Sequence, residues 1–151
     1  MSTTPRGSMR VLITGSRFED VDLVGVEVFV RGLPLDAVLV VGDCPTGVDA
    51  HAHLSAALIG LSVEVFRADW AAHSRGAGPR RNQAMVDSGA TFAMAWPGPR
   101  SRGTWDCVRR CRAARIPVRV MGVPEVYRRS WWGRFRWQLW QDTGAPCWRA
   151  A

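Results

Sequence analysis

The stretch at residues 38–49, Val-Leu-Val-Val-Gly-Asp-Cys-Pro-Thr-Gly-Val-Asp, constrains the chain more than any other. Val38, Leu39, Val40 and Val41 are aliphatic and follow one another without a polar break. A strand with one wet face alternates; an unbroken run reads as a strand buried on both faces, the condition of a parallel sheet. The run ends in a turn holding Gly42 and Gly47, after which the apolar spacing becomes helical. A glycine turn between a buried strand and a helix start leaves backbone N–H groups unpaired and partly positive. That geometry suits a phosphate or another anion.

The same unit recurs along the chain. Residues 10–14 (Arg-Val-Leu-Ile-Thr) are a short apolar strand that meets Gly15-Ser16-Arg17. Asp20 or Asp22 can cap the helix that follows, Leu23, Val26, Phe29 and Val30 share one of its faces, and Gly32 with Pro34 ends it. The helix after the opening turn runs from about residue 48 to 58, with Gly60 as its stop. Residues 62–66 alternate as a third strand. Residues 69–78 read as a loop of small, polar and glycine residues. Pro79 then starts a helix well, because its missing N–H would be unpaired there anyway. That helix carries Arg80, Arg81, Asn82 and Met85 and stops at Gly89. Residues 90–96 are a fourth strand, broken at Pro97-Gly98-Pro99. The chain passes through Arg100-Ser101-Arg102-Gly103 to a helix at Thr104, marked by Val108, Cys111 and Arg115, and residues 116–121 are a fifth strand.

Strands alternating with helices predict an α/β fold, an open doubly wound parallel sheet of about five strands with helices on both faces. In such sheets a ligand lies beyond the carboxyl ends of the strands, where strand order reverses. Three turns bring glycine or polar residues to that edge: residues 15–17, 42–47 and 97–104. The candidate ligand-binding residues are therefore Gly15, Ser16, Arg17, Gly42, Asp43, Thr46, Gly47, Asp49, Gly98, Gly103 and Thr104, joined by Arg80, Arg81 and Asn82 at a predicted helix start. Arginine holds phosphate or carboxylate through paired N–H bonds. Asp49 is placed to interact with a helix dipole, to accept from a ribose hydroxyl or to orient a water. Thr46 and Thr104 have the character of helix caps.

The rest of the sequence narrows the classes. The chain carries a net charge of +7, every basic residue is Arg, and the excess lies after Arg75, so a basic surface belongs to the second half. An all-arginine composition also fits a GC-rich coding sequence. No stretch is long and apolar enough to span a bilayer, and no signal-peptide core opens the chain. Cys44, Cys107, Cys111 and Cys147 show no C-x-x-C spacing, which fits reduced thiols in a cytoplasmic protein. His51 and His53, two apart on a helix, diverge, so no metal site is expected. Neither the G-x-G-x-x-G fingerprint nor a P-loop occurs.

Three segments result: a polar, disordered tail at residues 1–8, a domain at residues 9–123, and an extension at residues 124–151. The extension sets Trp131, Trp132, Phe135, Trp137, Trp140 and Trp148 among Arg128, Arg129, Arg134 and Arg136. Packing on the sheet edge or across a homodimer comes first, because a small domain uses large aromatics to bury area. An interfacial membrane segment and base stacking between arginines stay open beside it.

Residues 11–17 (Val-Leu-Ile-Thr-Gly-Ser-Arg), 42–50, 78–85 (Gly-Pro-Arg-Arg-Asn-Gln-Ala-Met) and 103–106 (Gly-Thr-Trp-Asp) together resemble the SLOG superfamily, nearest its small YspA/YpsA-related domains. The superfamily also takes in the DNA-processing DprA/Smf proteins and the Lonely Guy phosphoribohydrolases. The resemblance covers about residues 10–121 and implies a Rossmann-like fold with a nucleotide, or an ADP-ribose-like derivative, as ligand and no required cofactor. Lonely Guy enzymes have a P-G-G-x-G-T-x-x-E segment with a catalytic Glu, and an Arg four residues before a Met. Arg81 stands four before Met85, but the position three after Thr104 is Cys107, and the nearest carboxylate is Asp106. The expectation is a nucleotide-binding sensor or accessory domain. Its rivals are an N-glycosidase acting on a nucleoside monophosphate or NAD-like substrate, with Arg81 on the phosphate and Asp106 or Asp49 stabilising the developing sugar cation, and a DNA-binding protein related to DprA.

Overall fold

Val11, Leu12 and Ile13 are wholly buried and mark the strand at the centre of the sheet. A computed structural model describes residues 8–122; the expectations for residues 1–7 and for the extension at residues 124–151 lie outside the described residues. The elements run β1 (Arg10–Gly15), α1 (Leu23–Arg31), β2 (Val38–Gly42), α2 (Gly47–Ile59), β3 (Ser62–Phe66), α3 (Trp70–His73), α4 (Ala77–Asp87), β4 (Phe92–Trp96), α5 (Arg102–Ala113) and β5 (Val118–Val120). The strands form one parallel sheet in the order β3-β2-β1-β4-β5. This is the α/β, Rossmann-like architecture expected from the sequence. Strand order reverses between β1 and β4, so the switch point of the sheet falls at the carboxyl ends of those two strands, the place where open α/β sheets in general take ligands.

The two-residue period of the strands divides the core. Val11 and Ile13 of β1 and Leu39 and Val41 of β2 pack with Val26 and Val30 of α1 and with Val48, Ala52 and Ala56 of α2. Leu12 and Val40 point the other way, onto Met85 and Val86 of α4 and Cys107 and Cys111 of α5. Thr104, Cys107, Val108 and Cys111 are the buried stripe of α5, spaced as one helical face. No helix among the described residues is long and apolar enough to cross a membrane.

Several local expectations change. Most of the expected loop at residues 69–78 is helical: the Asp69 side chain accepts from the Ala72 N–H at 3.0 Å and caps α3, and a 3-10 turn at Ser74–Gly76 leads into α4. Pro79 is the third residue of α4 rather than the first. Proline is accommodated there for the same reason, since no first-turn N–H has an intrahelical acceptor. Thr104 does not cap α5; it lies inside the helix, buried. Arg115 lies beyond α5 with φ 59°, where the chain turns toward β5.

Candidate functional site

The turns after β1 and β2 are held against each other by backbone. The Val48 N–H donates to Ser16 O at 2.9 Å, and Thr46 Oγ1 donates to Arg17 O at 2.7 Å. Thr46 is thus the N-cap residue of α2 by position, but its hydroxyl is spent on the neighbouring turn rather than on the helix. Only glycine fits at residue 47: φ is +71°, and a Cβ would run into Ser16 O and the Arg17 backbone. Ser16 Oγ donates to Asp20 Oδ1 at 2.5 Å and accepts from the Phe18 N–H at 3.1 Å, which fixes the first turn.

These turns, with the start of α5 and one face of α4, enclose a cavity of about 330 Å³. Of the candidate residues, Gly15, Ser16, Arg17, Asp49, Arg81, Asn82, Gly103 and Thr104 line it. Gly42 and Asp43 face an adjoining cavity instead. Thr46, Gly47 and Gly98 support the walls without lining them; Gly98 lies against Asp20, where a Cβ would overlap the carboxylate. Arg80 is exposed on α4 and lines neither cavity.

Electrostatically the cavity is lopsided. Arg17, Arg81, Arg100 and Arg102 line it, and among the described residues Asp49 is its one carboxylate. Arg81 Nη1 donates to Asp43 Oδ1 at 3.1 Å and Nε to Asn82 Oδ1 at 3.1 Å, so the guanidinium is held in place. Its remaining edge has no hydrogen-bond partner among the described residues, and neither has the Arg17 guanidinium. Arg100 stacks on the Phe18 ring at 4.3 Å, bridging the turns after β1 and β4. The start of α5 carries no side-chain cap; Ser101 Oγ accepts from the Gly98 N–H at 2.8 Å instead. The Arg102 N–H turns back to Arg100 O at 3.1 Å, and the next first-turn N–H groups, which have no intrahelical acceptor, add to the positive field at the Gly103–Thr104 wall.

Asp49 sits at the heart of this field. Burial pushes its carboxyl up to about 6, against the pull of Arg81, a bond from the Cys44 backbone N–H and Arg17, with Asp43 adding to the push. Gly42 makes the arrangement possible, since a Cβ there would collide with Arg81 Nη1 and Asp49 Oδ2.

The opposite wall departs from expectation. Asp106 does not line the cavity. It accepts from Asn82 Nδ2 at 3.0 Å and Arg110 Nε at 2.8 Å, and lies 3.6 Å from Arg109, on the flank of α5 that meets α4. One residue along a helix is a turn of about 100°, which carries position 106 away from the buried stripe of Thr104 and Cys107. Cys107 is fully buried, and its hydrogen bond with Cys111 and then burial push its thiol well up, leaving it neutral. The structure therefore places no carboxylate of α5 in the cavity, and the catalytic role expected of Asp106 loses its geometry. Phe18, Cys44, Arg100, Ser101 and Arg102 line the cavity although they were not among the candidates. The signal was present for Arg100–Arg102, which directly precede Gly103 in a turn already assigned to the site.

No family model matches the chain. Over 58 residues it is 45% identical to the Gene 61 protein of Mycobacterium phage D29, a stretch that takes in 38% of this chain and 46% of that protein. The match thus spans less than half the relative's length. Among solved structures, DNA processing protein A (DprA) from Streptococcus pneumoniae superposes with a TM-score of 0.62 at 18% identity, over 75% of this chain and 50% of that one. At that identity the likeness is one of fold: the chain has a DprA-like version of the Rossmann-like α/β fold.

Proposed function

We propose that the protein binds a nucleotide or nucleotide-derived ligand through its phosphate, in the cavity at the carboxyl ends of β1 and β4, as a small SLOG-type sensor or accessory domain. One observation carries the reading: four arginines and an uncapped helix start converge on a cavity with a single carboxylate. Its place at the reversal of strand order is where open α/β sheets take ligands, and its size lies in the range of small-molecule sites. Binding is favoured over glycosidic cleavage, because Asp49 stands alone as an acid in the cavity while Asp106 is consumed by Asn82 and Arg110. Thermal unfolding with AMP, NAD and ADP-ribose tests the reading. Ligand at one hundred times Kd stabilises by about 2.7 kcal/mol. No shift with any of them, with Arg81→Ala behaving as wild type, removes the proposal.

A second reading, nucleic-acid binding, is favoured by how charge is distributed in the fold. Residues 75–119 hold ten arginines against two carboxylates, whereas residues 8–74 hold four against nine. The sheet separates these halves, with α4 and α5 on one side and α1 and α2 on the other. A basic face of this kind suits a phosphate backbone. DprA, whose fold this chain resembles, is a DNA processing protein, which agrees with this reading. Retention of single-stranded DNA that falls steeply with salt supports it; no retention at low salt eliminates it.

A further inference from the structure

The geometry points to a second lobe of the same site, a ring-binding lobe between α2 and β3 that takes the base of a nucleoside phosphate whose phosphate occupies the arginine lobe. This rests on the nucleotide reading above and extends it.

The lobe is a cavity of about 560 Å³ at the carboxyl ends of β2 and β3. Asp49 and Cys44 line both cavities, so the two lobes meet along one wall. Gly42, which has no side chain, forms part of that boundary. The chemistry changes sharply across it. Where the first lobe has four arginines, the second has an apolar wall of Pro45, Ala50, Leu54, Ala57 and Val65, with Asp43, His53 and Arg67 at its rim.

Leu54 is 60% exposed and Val65 37% exposed. Neither belongs to the two buried clusters of the core, so their apolar surface is left to the lobe. A phosphate gains nothing from such a wall. A flat heterocycle does, through the apolar surface it removes from water. Asp49, on the shared wall, then falls between the two ends of the ligand, where a ribose hydroxyl can donate to it. A nucleoside phosphate has these three parts in this order: anion, hydroxyl-bearing sugar, ring.

Calorimetric titration with ribose 5-phosphate and with the four nucleoside monophosphates tests the assignment, using wild type and Ala57→Trp. Ala57 is exposed on α2, so the larger ring fills the lobe without entering the core. At least one monophosphate is expected to bind ten-fold or more tighter than ribose 5-phosphate. Ala57→Trp should erase that advantage and leave ribose 5-phosphate binding unchanged. Leu54→Arg, also exposed, serves as a second variant with the same expected pattern if the tryptophan protein fails to fold. If ribose 5-phosphate binds as well as every nucleotide and neither variant alters anything, the ring lobe is wrong while the arginine site stands. If none of the five compounds binds, the nucleotide reading itself falls and takes the lobe with it. If Leu54→Arg or Ala57→Trp instead changes the oligomeric state, with binding untouched, the apolar wall belongs to a second copy of the chain and the assignment is overturned.

Discussion

The two ends of the sheet use arginine in opposite ways. At the amino end Arg10 has four of its five N–H donors engaged: Nη1 and Nη2 donate to the two oxygens of Glu64 at 2.9 and 2.7 Å, Nε to Gly89 O at 2.6 Å, and Nη2 also to Ser88 Oγ at 3.2 Å. It ties β1 to β3 and to the turn before β4. At the carboxyl end Arg17 and one edge of Arg81 have no such partners among the described residues, and they share a cavity with Arg100 and Arg102. An arginine with its donors engaged in this way is a structural tie. Arginines gathered with donors to spare around a cavity hold field in reserve for an anion, at a cost in self-repulsion that the fold must carry.

The glycines give the largest expected contrast. Gly47 and Gly89 both have positive φ, +71° and +83°, at opposite ends of the sheet. A Cβ at Gly89 meets nothing within 4 Å, whereas one at Gly47 collides with backbone. Gly89→Ala is expected to cost about 1 kcal/mol and Gly47→Ala about 3 kcal/mol or more. Equal losses in urea unfolding would break the claim that the turns after β1 and β2 are sterically locked.

Next in size is the buried carboxylate. With its folded value raised from 3.8 to about 6, Asp49 contributes stability fully present below about pH 4 and lost as pH rises through 6, because the folded chain holds the proton more tightly. The shift corresponds to about 3 kcal/mol. Asp49→Asn, which carries no charge at any pH, should therefore gain stability relative to wild type by about that amount between pH 4 and pH 7. A difference that stays flat across this window would show that Asp49 is not the charge-burdened residue of the site.

Arg81→Met comes third. It should weaken phosphate-bearing ligands about 100-fold, or about 2.7 kcal/mol. Arg10→Met should lower stability by about 1–2 kcal/mol while leaving ligand response intact. If both variants bind normally, the division of labour between the two ends is wrong.

The smallest effect belongs to Glu64. The hydrogen bond from Arg10 lowers its carboxyl below the usual range, so its contribution is present at neutral pH and lost on acidification, opposite in sign to Asp49. The pair is partly exposed, and screening limits it to about 1 kcal/mol. Measuring Glu64→Gln against wild type from pH 7 to pH 3 should show the difference closing.

The sheet was legible in sequence because burial on both faces writes a strand as an unbroken apolar run: β2 stands where Val38–Val41 put it, and β1 and β3 match their expected spans within a residue. The short helix α3 was missed although Asp69 precedes Trp-Ala-Ala-His, because the surrounding glycines and polar residues outweighed one cap and two alanines. The walls of the site were readable only in part. Glycine turns announce themselves locally, but Asp43 and Arg81 stand 38 residues apart, and Asn82 and Asp106 24 apart. No periodicity encodes such pairs; they follow from which strands lie side by side. Asp106 was misplaced for that reason: Arg102, Gly103 and Thr104, just before it, line the cavity, while its partners in space are on α4 and on the next turn of its own helix.

The bonds from Val48 N–H to Ser16 O and from Thr46 Oγ1 to Arg17 O make the first two turns a clasp, so neither can swing out without unfastening the other. The site's breathing is then gated at two bonds, one of which carries an exchangeable amide. Hydrogen exchange at Val48 reads the free energy of parting the clasp, and any compound that braces both turns from the cavity side should slow exchange there.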